Sequence, residues 1–125
     1  MAYLARNPTS YVGQSIGTGH CVPYVQVAAN APLTAKWQRG QRVKDVADLP
    51  SGTAIATFDP DGRYGSRKDG TSHAAIFIRK SAAGIVVLDQ WITNGVRKAV
   101  SERTIRFNNP AGKKINNGDE YYVIE

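Results

Sequence analysis

The rhythm of apolar positions changes partway along the chain. From Cys21 to about Ala31, "CVPYVQVAANA" brings Val22, Val25 and Ala29 near one face at helical spacing. Pro23 fits only the first turn of such a helix, where a missing N–H leaves no bond unmade, and Pro32 closes the segment. Thr18 or His20 is the candidate cap. Residues 37–52 read as a loop, a short helical turn and a Pro-Ser-Gly turn. Then the pattern becomes β. "TAIATFD" (53–59), "HAAIFI" (73–78), "GIVVLDQW" (84–91) and "EYYVIE" (120–125) are runs rich in apolar and β-branched residues, bounded by turn residues. "SERTIRF" (101–107) is a weaker fifth candidate. "RKSAAG" has hairpin length, and "DPDGRYGSRKDGTS" (59–72) is long enough to be a functional loop.

This order, helix first and then a mostly antiparallel sheet, predicts an α+β domain with the Cys21 helix packed on one sheet face. At 125 residues, with 42% hydrophobic and 21% charged positions, one domain spanning 1–125 is expected. Neither a repeat nor a disordered tract stands out. The net charge of +6 and a pI near 9.7 favour anionic partners. The basic residues form clusters, "KWQRGQRVK" and "GRYGSRK", and not the long block of a nucleic-acid arm. No nucleic-acid partner and no membrane insertion are therefore expected, since "AAIFI" and "GIVVL" are too short to span a bilayer. The opening "MAYLARNPTSYVGQ" lacks the apolar core of a signal peptide, so delivery by other means is expected.

A single cysteine excludes an intramolecular disulfide and any zinc site that needs two thiolates. With two histidines, no metal and no cofactor is expected; Asp59, Asp61 and Gly62 read as a plain turn, lacking the remaining ligands of a calcium loop. Cys21 sits where a helix would begin, behind "GTGH". Unpaired N–H groups and the helix dipole lower a thiol's pKa there, and the Cys21 N–H is placed to serve an oxyanion. A cysteine nucleophile needs a base and the base an orienting group. His73 opens one strand and is the favoured base; His20, a neighbour of Cys21 at the helix start, is the alternative. On the next strand Asp89 and Gln90 interrupt an apolar run, and a buried acid there requires a partner. In a regular hairpin a three- or five-residue loop sets Asp89 opposite His73, and a four-residue loop sets Gln90 there. Asp89 is preferred, because a carboxylate both orients and stabilises an imidazolium.

The glycine-rich turn with cysteine at a helix start, then a strand-opening histidine, then a polar residue on the next strand, resembles the papain-like peptidoglycan amidases of the NlpC and CHAP types. "GHCVPYVQ" is similar to the CHAP pattern of glycine, polar residue, cysteine and an aromatic three residues on, here Tyr24. "LPSGTAIATF" resembles the turn and strand ahead of the catalytic histidine. Over roughly residues 11–91 the chain resembles small type VI secretion amidase effectors, and the tail from Asn94 adds little. The resemblance implies hydrolysis of an amide in peptidoglycan stem peptides or cross-links, with Cys21 as nucleophile, His73 as base and Asp89 as third member. His20 departs from the CHAP pattern, which places glutamine before the cysteine. Gln14 is a candidate oxyanion amide.

On this reading the protein is an antibacterial effector and a monomer. It is made in the cytoplasm, exported by a specialised apparatus, and acts in the periplasm of a target bacterium. A cognate immunity protein, acidic to suit the charge, is the expected partner. Two rivals stay open: a phage or housekeeping wall hydrolase with the same site, and a non-catalytic basic module that binds wall or nucleic acid. Trp91, Tyr24 and Tyr64 are candidates to line a cleft.

Overall fold

The computed structural model describes residues 2–110 and 112–125. Among these residues one α-helix, α1 (Cys21–Ala29), packs across a six-stranded antiparallel sheet. The strands are β1 (Arg39–Arg42), β2 (Ala54–Thr57), β3 (Ala74–Lys80), β4 (Gly84–Thr93), β5 (Val96–Arg106) and β6 (Tyr121–Ile124), in the spatial order β1-β6-β2-β3-β4-β5. Among the described residues no helix is long and apolar enough to cross a membrane.

Both faces of the sheet are covered. Tyr24, Val25 and Ala29 of α1 meet Ala54, Ala56, Ala74, Ile76 and Leu88 on one side. On the other, Ile55, Ala75, Phe77, Ile85, Val87, Ile105, Tyr121 and Val123 close around Val43. Two-sided burial explains why β2, β3 and β4 read as unbroken apolar runs instead of alternating ones. Tyr24 and Val25 are fully buried, and burial on this scale is worth roughly 1.5–3 kcal/mol for a large apolar side chain.

Several elements differ from the sequence expectation. The helix stops at Ala29, two residues early, because Asn30 adopts a left-handed cap (φ 54°, ψ 41°). The buried face of α1 includes Tyr24, and Val22 is only half-buried at its rim. Residues 39–42, expected as loop, form edge strand β1 against β6. The weak candidate at 101–107 is part of an eleven-residue strand, joined to β4 through Asn94 (φ 51°) and Gly95 (φ 74°). Two consecutive positive φ values make this a two-residue turn matched to strand twist.

The β3–β4 register satisfies neither loop count. Phe77 pairs with Val87 but Arg79 with Val86, so Ile78 is an extra residue in β3. Continuing the regular pairing from Ile76↔Leu88 toward the strand start sets His73 across from Trp91. Asp89 then lies one diagonal step away on the same face, within reach of a histidine side chain.

Candidate active site

The approach to Cys21 is built from tight turns. Gly17 (φ 57°) and Gly19 (φ 90°) hold left-handed conformations that L side chains resist, and a Cβ on Gly17 would stand 2.9 Å from that of Pro23. His20 is the extended N-cap residue of α1, without a side-chain capping bond, and Cys21 is the first helical residue. Gln90 pins this junction from β4. It accepts the Ile16 N–H at 2.8 Å and donates to the carbonyls of Ile16 (2.9 Å) and His20 (2.6 Å). The alternative third member is thus committed elsewhere: Gln90 faces the helix start, not His73, because adjacent strand residues face opposite sides.

His73 Nε2 lies 2.7 Å from Asp89 Oδ2. His73 is 4% exposed and Asp89 0% exposed, so water competes little for this contact. Arg103 of β5 donates to the same oxygen through Nε at 2.8 Å, and its Nη2 completes the ion pair at 2.8 Å. With Nε2 committed to Asp89, Nδ1 is the ring nitrogen left for the thiol. Burial opposes ionisation of Cys21. It is outweighed by the hydrogen bond and charge of His73, by the Ala74 backbone N–H and by the Tyr64 hydroxyl, which together hold the thiol below its ordinary value. Burial likewise opposes charge on His73, and the bonds and charges of Asp89 and Cys21 overturn it upward. Both shifts favour a thiolate–imidazolium pair.

This pair opens on a cleft of about 670 Å³, floored by Cys21 and His73. Tyr64, from the long 59–72 loop, stands with its hydroxyl 3.7 Å from Cys21 Sγ and its ring 4.9 Å from that of Trp37. Trp91 also lines the cleft, with the Arg103 guanidinium 5.1 Å over its ring, whereas Tyr24 is wholly core. His20 reaches the rim. Gln14 does not reach the site. Its exposed amide turns to the Ser10 carbonyl at 3.3 Å while its backbone carbonyl accepts the Val100 N–H, which ties that segment to β5. Asp59 and Asp61 serve the loop itself, one pairing with Arg67 and the other accepting the Arg63 N–H. The sequence reading missed Arg103 altogether; the signal was the isolated buried acid on β4, which needs more counter-charge than one histidine provides.

A cysteine at a helix start, a histidine opening the strand beneath it and a carboxylate on the adjoining strand define a papain-like α+β domain of the amidase type. The chain belongs to the domesticated amidase effector 2 family, whose model matches residues 1–124. That match runs through the tail, which the sequence resemblance had set aside. The chain is similar to domesticated amidase effector 2 of Ixodes scapularis, 44% identical over 94 residues; the match spans 74% of this chain but 58% of that relative. It is 31% identical over 121 residues to the type VI secretion amidase effector 2 protein of Salmonella typhi, covering 90% of each. The solved structure of type 6 secretion amidase effector 2 (Tae2) superposes with a TM-score of 0.84 at 31% identity, covering 98% of this chain and 94% of that one.

Proposed function

We propose that this chain hydrolyses an amide bond in the stem peptides or cross-links of bacterial peptidoglycan, with Cys21 as nucleophile, His73 as proton carrier and Asp89 orienting the imidazole. The observation that carries this reading is the linked Cys21, His73 and Asp89, the first two lining the cleft and the third buried behind them, in a chain of an amidase effector family.

The Cys21 thiolate attacks the carbonyl carbon, and the Cys21 N–H at the helix start faces the developing oxyanion. His73 passes its proton to the leaving nitrogen as the C–N bond breaks, which leaves a thioester. Water then attacks the thioester with His73 taking a proton, and cleavage of the C–S bond restores the ion pair. Asp89 bonds Nε2 in every step, so Nδ1 stays aimed at the sulfur.

The cleft lining suits this substrate class. Arg67, Lys68, Arg103 and Lys113 line it, with no acidic residue among the lining side chains. Free carboxylates of stem peptides complement such a surface. An acidic immunity protein that plugs the same cleft is the partner this charge favours. The type VI secretion relatives support delivery into a target cell, with the wall in the periplasm as the place of action.

Digestion of purified sacculi tests the reading. The wild-type chain should release soluble muropeptides and Cys21→Ala should release none, and mass spectrometry of the products names the bond cut. Digestion by folded C21A at the wild-type rate overturns the assignment.

A further inference from the structure

We propose that Arg103 is a positioning residue of the amidase: a permanent counter-charge that holds Asp89 aimed at His73 while His73 itself gains and loses a proton. This rests on the Cys21–His73–Asp89 assignment above.

Two N–H donors and a second guanidinium nitrogen converge on a single carboxylate oxygen. His73 Nε2 at 2.7 Å and Arg103 Nε and Nη2, each at 2.8 Å, all meet Asp89 Oδ2. Oδ1 is buried and has no hydrogen-bond partner among the described residues, and Asp89 is 0% exposed. A carboxylate so enclosed stays ionised only beside positive charge. His73 supplies that charge intermittently. Once its proton has gone to the leaving nitrogen, the ring is neutral until deacylation, and through that interval Asp89 would have no cation without Arg103. A guanidinium does not deprotonate in this range, so its charge persists through the cycle.

Geometry adds a second effect. The Arg103 Nε–H bond and the close Nη2 hold Oδ2 in place, so that oxygen, and not Oδ1, meets the imidazole. Arg103 is itself held, with its guanidinium 5.1 Å over the Trp91 ring. The remaining ionisable groups around Asp89 do not substitute for it. Tyr24 of α1 and Tyr121 of β6 feel its charge, Cys21 is linked to it through His73, and Tyr64 stands beyond Cys21 on the 59–72 loop. None of them is a cation at any pH, and the three tyrosines are all pushed upward by burial.

The test compares wild type with Arg103→Met and Arg103→Lys in two readouts. One is kcat and KM on soluble muropeptides. The other is the pH dependence of iodoacetamide labelling at Cys21, clean because the chain has one cysteine. In R103M, Asp89 loses its permanent counter-charge and the group that holds it toward His73, so it no longer supports the ion pair. The acid limb of labelling should therefore move up by about one pH unit, and kcat should fall about 10- to 100-fold with KM within a factor of about three. R103K keeps the charge without the fork, so it should hold the wild-type acid limb at a reduced kcat. Should R103M not fold, R103K carries the test alone, and wild-type kcat in R103K overturns the proposal. A raised KM with unchanged labelling marks substrate contact, and earlier melting with both readouts unchanged marks a structural role; each overturns it. Failure of the triad itself reads differently: wild-type Cys21 would then label as an ordinary thiol, and His73→Ala would leave its profile where it was.

Discussion

Asp89 and Gln90 are neighbours in the chain, both completely buried, and they serve opposite sides of the sheet. Asp89 holds His73, the proposed proton carrier, and Gln90 holds the loop that leads into Cys21, the proposed nucleophile. Conservative changes separate the two duties. Asp89→Asn keeps the shape but removes the charge that favours an imidazolium, and it leaves Arg103 without its carboxylate. We expect kcat to fall by roughly 10²- to 10⁴-fold, the usual range for disabling general acid–base chemistry, with circular dichroism unchanged. Gln90→Ala leaves the Ile16 N–H and two carbonyls short of partners. An unfolding titration should show a loss of about 1–3 kcal/mol, with activity falling because the Cys21 end of α1 loosens. The sequence made Asp89 legible, since an acid interrupting an apolar run needs a partner. It did not reveal Arg103, because the register shift between Asp89 and Trp91, which no local pattern states, sets which β5 residues stand beside Asp89.

At the scale of elements, the β4–β5 hairpin carries both Asp89 and Arg103, so its turn matters to the site. Gly95 sits at φ 74°, and a Cβ added there would meet nothing within 4 Å, which makes its constraint conformational and not steric. Gly95→Val should therefore cost about 1–2 kcal/mol, the penalty of a left-handed residue with a side chain. For a domain of this size that is a fall in Tm of roughly 4–8 °C, read by thermal melting. Asn-Gly is a strong local hairpin signal, and "TNGV" displays it, although the expected strands stopped at residue 91 and resumed only at 101. The helix and the four apolar strands were legible because two-sided burial leaves dense apolar runs. β1 was not, because Arg39–Arg42 is a polar edge strand whose assignment comes from pairing with β6 alone. The extra residue at Ile78 was equally invisible, and it is what defeats register counting from loop length.

For the whole molecule, proton and salt balance set the working range. Cys21 lies below its ordinary value of 9.0 and His73 is raised from 6.5 to about 9, which opens a pH window for the thiolate–imidazolium pair that the unperturbed groups would lack. Below that window the thiolate is protonated and activity falls; above it the imidazolium loses its proton near pH 9 and activity falls again. A pH–kcat/KM profile should therefore be bell-shaped, with its alkaline limb well above the ordinary histidine range. An alkaline limb near the ordinary histidine value of 6.5 would mean that Asp89 and Cys21 do not support the imidazolium. Salt probes a separate term. The chain carries +6, and the cleft lining holds cations and no acid. Arg67 is largely neutralised by Asp59 and Arg103 by Asp89, which leaves exposed Lys68 and Lys113 to attract anionic substrate. Screening shortens from about 10 Å at 0.1 M salt to about 3 Å at 1 M. KM for muropeptides should then rise with salt while kcat holds, because the buried ion pair is shielded from solvent ions. Lys68→Glu combined with Lys113→Glu should raise KM at low salt and flatten that dependence. A salt effect confined to kcat would place the sensitivity in the catalytic relay and not at the rim.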